Sequence, residues 1–497
     1  METGLAQLRF AASMLFGRPL SAWALDRLVD AALETRHEFG AIGPAAAEFL
    51  SGPPLDEDAR REMQLRRFRA QAAMAAQETP YYAGLFEKTG LDPHRLRFEE
   101  IARIPVTPKA AMRNTPDAFV RRSARPAFRT MTTGTTGRPT STYFSAHEMQ
   151  TTALLSALTF LQEGQIGPDD IVQISTSSRA TLGNACFSQA CQRIGAAWYL
   201  AGLVQPSQAL ALLAEEHHLP GKKPRTSFLN TYPSYLGELV ECGLAAGYRP
   251  ADFGLTRISV GGEVVTAGLK ARAQQLFGPV VFIEGFGMTE IWPLGATRCA
   301  AGHLHWEPTQ GLIEVLNPEA SGPAQPGQAG TLVATPFGPY REASVVLRYN
   351  TEDVVAPLAG PLTCRWRDWP ATSDIRGKLR LSIRHDRGWT YPRDVLEALE
   401  AVEAVPLPAR GGFWAVSGGV AVEAVVRAVT PAVHREIEAA LEGQGVPLRE
   451  LHLVEDRRQL QQPLPLRCDL REDSFATPAP STAPDVGGAG RLPTERS

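Results

Sequence analysis

The chain has 497 residues, which is too long for one compact core and fits two or three domains. Charged residues make up 21% of it and nearly balance, giving a net charge of −3, so we expect no general nucleic-acid-binding surface. No stretch approaches the roughly 18 apolar residues of a membrane span, and the N-terminus lacks the order of a secretory signal. Six cysteines are too few for a disulfide framework in this length and suit a reducing compartment. We therefore expect a cytoplasmic protein that does not bind membranes.

The chain opens with predicted helices and continues as alternating strands and helices. Residues 1–54 are alanine-rich, read as a helical extension, and end in a Gly-Pro-Pro break. Residues 55–79 form a predicted amphipathic helix, because apolar positions recur at steps of three and four. From about residue 130 to 350, short β-rich runs alternate with helical stretches, which predicts an α/β domain with mostly parallel sheets. Ligands of such sheets bind beyond the carboxyl ends of the strands.

The pattern changes near residue 374. A shorter α+β pattern follows, with helices predicted at Arg393–Ala401 and Ala432–Glu442. The last residues are rich in proline, glycine and alanine without periodicity, and we expect them to be disordered. The predicted organisation is a helical extension (1–54), a large α/β domain (55–373), a small mobile α+β domain (374–470) and a disordered tail (471–497).

A threonine- and glycine-rich segment, Thr130–Thr140, follows a predicted strand. Glycines let the backbone turn successive N–H groups toward one point, and threonine hydroxyls add donors, so such a loop can hold an anion. The segment is not a Walker loop, because the GxxxxGK[ST] pattern is absent. A plain turn is the alternative interpretation.

Two further motifs place glycines directly after β-rich runs. They are Ile258–Glu263 and Ile283–Glu290. Glycines there allow the backbone to approach a flat ligand; Phe286 suits stacking on a purine, and Glu290 is an oxygen ligand suited to Mg²⁺ beside phosphates. Taken alone, Phe286 fits a core position and Glu290 a solvated charge equally well.

A fourth motif, Leu347–Val355, contains a carboxylate directly before an apolar pair. Asp353 in this position can accept hydrogen bonds from both hydroxyls of a ribose, and an ordinary turn aspartate is an equally good interpretation.

In this order and spacing the four motifs resemble the adenylate-forming superfamily, in particular its phenylacetate–CoA ligase branch. Three more segments are similar to signatures of that branch: Glu78–Tyr82, Ile104–Lys109 and Asn230–Leu236. The resemblance covers residues 55–400 well and the last 70 residues poorly. It implies ATP-dependent activation of a carboxylic acid as an acyl-adenylate, followed by transfer to the thiol of CoA or of a carrier protein's phosphopantetheine.

The resemblance also implies roles for individual residues. The β- and γ-phosphates would lie at Thr132, Thr133, Gly134, Thr135, Thr136 and Gly137, with Arg138 where many relatives have lysine. The adenine and acyl pockets would be lined by Gly262, Glu263, Glu284, Gly285, Phe286 and Gly287. Thr289 would contact the α-phosphate, Glu290 would bind Mg²⁺, Asp353 would bind the ribose, and Lys378 is the hinge cation near the nucleotide. Arg138, Thr289 and Glu290 form the implied catalytic set.

The C-terminal part departs from the family pattern. The hinge keeps Gly377, Lys378 and Pro392, but its two aspartates are replaced by Arg380 and Leu381. The C-terminal lysine that bridges substrate carboxylate and α-phosphate in relatives is missing. Arg467 is the nearest candidate, although its broad fork fits a single bridging site poorly.

A metal centre is the next candidate. The segment from Cys299 to His305, with Cys364 downstream, resembles a structural zinc site of some relatives. Trp366 stands where a further cysteine would lie, and three ligands fall short of the four that structural zinc prefers. Ordinary thiols are therefore the favoured interpretation and zinc the alternative.

Three functions stay open from the sequence. The first is an acid–thiol ligase, with the acyl pocket around Thr181–Phe187 and Tyr232 favouring an aromatic acid. The second is an adenylate-forming enzyme with an amine, another nitrogen nucleophile or a nucleotidyl acceptor. The third is a catalytically degenerate nucleotide-binding relative, which the missing lysine favours.

Overall fold

The computed structural model describes residues 2–41, 56–132, 139–319, 322–358, 360, 362–461 and 466–467. The helices in these ranges are α1 (Glu2–Phe16), α2 (Ala22–Phe39), α3 (Glu57–Glu78), α4 (Pro80–Thr89), α5 (Lys109–Asn114), α6 (Ala146–Gln162), α7 (Thr181–Ile194), α8 (Pro206–Ala214), α9 (Pro233–Ala245), α10 (Ala267–Phe277), α11 (Pro392–Ala401) and α12 (Pro431–Gly443). None of them is long and apolar enough to cross a membrane.

The strands in the same ranges form five sheets. They are β1 (Pro126–Met131), β2 (Ser141–Ser145), β3 (Ile171–Ser175), β4 (Ala197–Leu200), β5 (Phe228–Thr231), β6 (Arg257–Val260), β7 (Val281–Gly287), β8 (Gly295–Arg298), β9 (Leu304–Trp306), β10 (Gly311–Leu316), β11 (Gly330–Pro336), β12 (Tyr349–Val355), β13 (Ala371–Thr372), β14 (Gly377–Lys378), β15 (Ile383–His385), β16 (Gly388–Thr390), β17 (Gly411–Val416), β18 (Gly419–Val425) and β19 (Leu448–Val454).

Helix α3 shows how local signals set an element. Its N-cap is Asp56, whose side chain accepts a hydrogen bond from the Ala59 amide at 2.7 Å, and acidic residues fill its first turn. Pro80 follows its C-cap Thr79 and opens α4, because proline is tolerated at the first position of a helix. The amphipathic helix predicted at residues 55–79 is therefore confirmed, and its face carrying Phe68 is fully buried.

The central sheet has eight strands in the order β13-β9-β8-β7-β6-β5-β3-β4. The five strands from β4 to β7 are parallel, as predicted, whereas β8, β9 and β13 are antiparallel additions. The change of direction follows from chain length: only residues 288–294 separate β7 from β8, and a parallel return needs about a dozen residues or more. The α/β class is confirmed, but nearly half of this sheet is antiparallel.

A second sheet, β10-β11-β12-β14, is antiparallel and packs on α3 and α4. Its core contact includes Tyr82, Phe119, Trp306 and Tyr349, all nearly or fully buried. This packing places β12, with the Asp353 motif, beside the antiparallel half of the central sheet.

The C-terminal part contains the hairpin β15–β16, the sheet β17-β18-β19 and the helices α11 and α12. The backbones of α10 and α11 nearly touch: a Cβ on Gly268 would lie 2.2 Å from the Glu400 carbonyl oxygen. The chain reaches this unit after β14, which still pairs with β12. The predicted domain boundaries and the mobility of the small domain stay predictions.

At the N-terminus α1 and α2 form the helical extension, and Leu25 and Val29 pack against Leu154 and Ala157 of α6. The remainder of the predicted extension and the predicted tail, residues 42–55 and 471–497, lie outside the described residues.

Candidate nucleotide-binding site

Strand β12 brings the ribose candidate to the middle of the site. Asp353 is almost buried, and its Oδ2 atom lies 2.8 Å from the Nζ atom of Lys378 on the neighbouring strand β14. Lys378 also donates to the Thr351 carbonyl oxygen at 3.0 Å, and the Asp353 amide donates to the Thr351 hydroxyl at 3.1 Å. The structure therefore brings two predicted nucleotide-binding residues into direct contact.

The backbone around Asp353 is strained. Arg348 and Glu352 have φ angles of 46° and 63°, a region that residues other than glycine rarely adopt. Arg348 is held there by two hydrogen bonds of 2.9 Å from its guanidinium to Glu314. Strain of this kind persists only where surrounding contacts fix the chain, which indicates that contacts hold the backbone on the N-terminal side of Asp353.

Glu290, the predicted Mg²⁺ ligand, is fully buried after strand β7. Its Oε1 atom accepts a hydrogen bond from the Tyr349 hydroxyl at 3.1 Å and lies 3.3 Å from the Nζ atom of Lys109. Its Oε2 atom is buried and has no hydrogen-bond partner within the part of the chain that the structure describes. Thr289 precedes it and is half-buried. A carboxylate oxygen is a preferred ligand of a hard divalent cation, so the buried Oε2 atom, which no described group satisfies, suits Mg²⁺.

The two glycine motifs lie at the same edge of the central sheet, because β6 and β7 are adjacent and parallel. Gly262 has a φ angle of 83°, and a Cβ there would press on the Tyr232 ring at 3.3 Å. Gly285 and Gly287 are exposed, so their backbone is open to a ligand. A Cβ on Gly285 would lie 2.6 Å from the Ala296 carbonyl oxygen, which explains glycine at that position.

The remaining members of these motifs are engaged with protein groups. Glu263 accepts a hydrogen bond from the Ser234 amide at 2.8 Å. Glu284 lies 2.8 Å from the Nζ atom of Lys270. Phe286 packs on Trp306 with ring centroids 5.5 Å apart. The partly buried Phe286 ring thus has a core contact on one side, and stacking on adenine stays a prediction.

The predicted phosphate loop is described only at its edges. Thr132 exchanges hydrogen bonds with Thr140: the Thr132 amide donates to the Thr140 carbonyl oxygen, and the Thr140 amide donates to the Thr132 hydroxyl, each at 3.0 Å. These bonds extend the β1–β2 hairpin toward the loop. The loop residues Thr133, Gly134, Thr135, Thr136, Gly137 and Arg138 lie outside the described residues.

The predicted acyl pocket begins beside that hairpin. The Thr130 and Thr181 hydroxyls are 2.8 Å apart, which joins β1 to the start of α7. Asn184, within the predicted pocket segment Thr181–Phe187, is hydrogen-bonded to the Thr176 hydroxyl at 2.5 Å and to the Ser177 carbonyl oxygen at 3.1 Å. Burial raises the pKa of Tyr232 to about 12, so its hydroxyl stays protonated.

The cysteines near this pocket do not have the properties of nucleophiles. Cys186 and Cys191 are buried, and burial raises the pKa of each thiol to about 12. A catalytic cysteine needs a lowered pKa, because the thiolate is the reactive form.

Arg467 is engaged with protein groups. Its guanidinium forms a bidentate pair with Glu400, at 2.8 and 2.7 Å, and donates to the Val264 carbonyl oxygen at 2.5 Å. The side chain is buried, and Glu263 lies 4.0 Å away. In this arrangement Arg467 fastens the end of the small domain rather than presenting a free cation.

Four side chains meet at the tip of the β8–β9 hairpin. The ligand atoms of Cys299, His303, His305 and Cys364 all lie within 4.8 Å of one another, and Cys364 Sγ is 3.2 Å from His305 Nε2. Burial and the nearby His303 lower the pKa of His305 to about 4, which leaves its ring neutral and able to ligate. Two cysteines and two histidines are a set that tetrahedral zinc uses, with ligand atoms roughly 3.5 Å apart. The fourth ligand, His303, was not counted from the sequence.

Sequence reasoning also missed Lys109 and Tyr349, which hold Glu290. A signal existed for Lys109: the chain has only six lysines beside many arginines. Three of the six, Lys109, Lys270 and Lys378, pair with the predicted site carboxylates. A compact ammonium fits one oxygen in a crowded site better than the wide guanidinium fork does.

Comparison with known proteins identifies the family. The model of the AMP-binding enzyme family matches residues 57–336. The chain is 25% identical over 317 residues to the phenylacetate-coenzyme A ligase of Thermus thermophilus, covering 62% of this chain and 68% of that protein. It is 24% identical over 316 residues to the ligase of the same name from Aromatoleum evansii, with the same coverage.

A solved structure with the same fold is 2-hydroxyisobutyryl-CoA ligase in its postadenylation state. It superimposes with a TM-score of 0.67 at 19% identity, covering 81% of this chain and 87% of that one. The predicted resemblance is thus confirmed: the chain belongs to the AMP-binding enzyme family and is similar to the phenylacetate–CoA ligases within it.

Proposed function

We propose that the protein is an AMP-forming acid–thiol ligase, which activates a carboxylic acid with ATP and passes the acyl group to CoA. The observation that carries the proposal is the hydrogen bond between Glu290, which follows β7, and Tyr349 on β12, the strand that also carries Asp353, in a chain of the AMP-binding family. The relatives named as CoA ligases support the acceptor.

In this proposal, the described residues would hold and orient the nucleotide. Asp353 is fixed by its strained backbone and would accept the ribose hydroxyls after exchanging its bond with Lys378. The exposed backbone of Gly285 and Gly287 gives a flat ligand close access. Glu290 would hold Mg²⁺ through its Oε2 atom, which has no hydrogen-bond partner among the described residues. When bound, Mg²⁺ would neutralise the negative charge of the phosphates.

The substrate proposed is an aromatic carboxylic acid. The half-buried Tyr232 ring lies beside Gly262 and supplies an aromatic wall there, whereas Phe187 packs on Phe160 and Phe228. The phenylacetate–CoA ligases, whose name gives an aromatic acid, support this choice. Carrier-protein phosphopantetheine is the alternative thiol.

The test is carboxylate-dependent exchange between ATP and pyrophosphate over a panel of aromatic and aliphatic acids. The expected result is exchange with at least one aromatic acid, and formation of its thioester when CoA is added. ATP binding without exchange for any acid would contradict the proposal and favour the degenerate relative.

A second candidate function is the same adenylation with an acceptor other than a thiol. The observation that favours it is the burial of Arg467 against Glu400, together with the altered hinge at Arg380 and Leu381. In the test, the enzyme forms the adenylate and is then given CoA, amines or hydroxamates in parallel reactions. Mass spectrometry of the products distinguishes the two functions.

We also propose a structural zinc ion at Cys299, His303, His305 and Cys364. Four convergent ligand atoms and the neutral, buried His305 ring support it. Elemental analysis of the purified protein is expected to give one zinc per chain, reduced in Cys364→Ser and kept in Cys242→Ser. Cys242 is a free thiol outside the cluster and serves as the matched control.

A further inference from the structure

The two carboxylate oxygens of Glu290, which follows β7, differ in their contacts. Oε1 receives both the Tyr349 hydroxyl and the Lys109 ammonium, at 3.1 and 3.3 Å. Oε2 has no hydrogen-bond partner among the described residues. The carboxylate is fully buried and the Lys109 side chain is only 14% exposed, so water screens this pair weakly.

Lys109 is held in place by the same strand that supplies Tyr349. It is the first residue of α5, directly after the segment Thr107–Pro108. The Thr107 amide donates to the Arg348 carbonyl oxygen, and the Asn350 amide donates to the Thr107 carbonyl oxygen, each at 2.9 Å. Strand β12 therefore fixes both partners of Glu290 relative to each other and to Asp353.

The charge of Lys109 affects what Glu290 can bind. A buried carboxylate without a cation is unfavourable, and Lys109 makes the pair neutral. A second cation, Arg341, is buried nearby, but its guanidinium donates to the Ser344 carbonyl oxygen at 2.6 Å. A bare divalent ion approaching Oε2 meets the Lys109 charge at short range and is repelled. A divalent ion that is already bound to the negatively charged triphosphate is not repelled in this way, because the triphosphate offsets its charge.

We propose that Lys109 is a positioning residue for the nucleotide site: it holds Glu290 as an internal counter-ion and makes binding of a divalent metal ion dependent on the nucleotide. The proposal rests on the proposed function only for the identity of that nucleotide. It assigns a role in the site to the Ile104–Lys109 segment.

The experiment measures Mn²⁺ binding by electron paramagnetic resonance, with and without ATP, at neutral pH. Lys109→Met is expected to bind Mn²⁺ without ATP more than about tenfold tighter than the wild-type protein, because the repelling charge is gone. Lys109→Arg keeps the positive charge beside Glu290 and is expected to show no such gain in Mn²⁺ affinity, even though its wider guanidinium fits the site less well. The gained affinity must disappear in Lys109→Met/Glu290→Gln, and Lys88→Met, at an exposed lysine, must show no gain.

The outcomes separate the two proposals. Equal Mn²⁺ affinity in Lys109→Met and wild type, or a gain that survives Glu290→Gln, overturns the role of Lys109. Should Lys109→Met fail to fold, Lys109→Gln replaces it, and tight Glu290-dependent Mn²⁺ binding by the wild type without ATP also overturns the role. Absence of ATP binding by the wild type contradicts the proposed function instead and leaves the metal-only comparison intact.

Discussion

Asp353 is the side chain that we propose for binding the ribose. The Asp353 carboxylate is paired with Lys378 and follows the strained backbone of Glu352, so it is already oriented before a ligand arrives. Removing it removes two charge-assisted hydrogen bonds to the sugar, each worth about 1.5–3 kcal/mol.

Asp353→Ala is therefore expected to weaken ATP binding by at least about tenfold, measured by calorimetry. Asp386→Ala, at an exposed aspartate of the β15–β16 turn, is the control and is expected to bind ATP normally. Unchanged affinity in Asp353→Ala would contradict the assignment of the ribose site.

Two glycines give a matched test of space at the residue scale. Gly285→Ala places a methyl group against the Ala296 carbonyl oxygen and is expected to lower the free energy of unfolding by about 1–3 kcal/mol. Gly84 lies inside α4 with open space around it, so Gly84→Ala is expected to raise that free energy by up to about 1 kcal/mol. Urea denaturation measures both variants, and equal effects of the same sign would show that the contact at Gly285 is relaxed.

The sequence identified the residues that lie next to a glycine or an acid in a short motif, such as Asp353 and Glu290. It did not identify Tyr349 or Lys109 as the partners of Glu290, because those contacts join segments far apart in the chain. Likewise, His303 became a fourth ligand only when the β8–β9 hairpin placed it beside Cys364. Short motifs in the sequence therefore indicate candidate site residues. The contacts between those residues and their partners depend on how distant elements pack, which the motifs do not show.

At the scale of elements, the β8–β9 hairpin carries a prediction about metal removal. Its four candidate ligands join the hairpin to Cys364 in the loop before β13. Removing zinc would release that connection, so a strong chelator is expected to lower the melting temperature of the wild-type protein. Cys364→Ser is expected to lie at the lower value already and to be insensitive to the chelator. An equal response of both proteins would contradict the metal site.

The same hairpin gives a pH dependence in the metal-free protein. The folded pKa of His305 is lowered to about 4 from 6.5 by burial, so the unfolded chain takes up this proton first as the pH falls. The stability that the neutral ring contributes is therefore complete above the unfolded value and is lost as the pH falls through this window. His305→Gln is expected to lose less stability across it in urea unfolding, and identical slopes would contradict the assignment.

Element order was more predictable than sheet direction. The helices predicted at Arg393–Ala401 and Ala432–Glu442 agree with α11 and α12 to within one residue at each end, because apolar spacing is a local signal. The antiparallel half of the central sheet was not predicted, since a short β-run carries no mark of its direction. Only the length of the connection after β7 reveals it.

At the scale of the whole molecule, the buried Arg467–Glu400 pair fastens the last described residues to helix α11. Arg467→Met leaves Glu400 charged and buried without its partner, and is expected to cost about 3–5 kcal/mol of unfolding free energy. The double variant Arg467→Met/Glu400→Met removes both charges and is expected to recover most of that loss. A single variant as stable as the wild type would show that the C-terminal segment is not docked in solution.

Residues 264–267, which follow the Gly262–Glu263 motif, form hydrogen bonds with the C-terminal part of the chain. Val264 and Val265 accept hydrogen bonds from Arg467 and Arg393, the Thr266 hydroxyl donates to Glu400, and the Ala267 amide donates to Glu397 at 2.9 Å. A short stretch of backbone is thus shared between the ligand pocket and the domain contact. Among these four contacts, the Ala267 bond is the one in which a backbone N–H donates. A rotation of the C-terminal unit would break it, so hydrogen–deuterium exchange at the Ala267 amide would report such a rotation without a label in the candidate site.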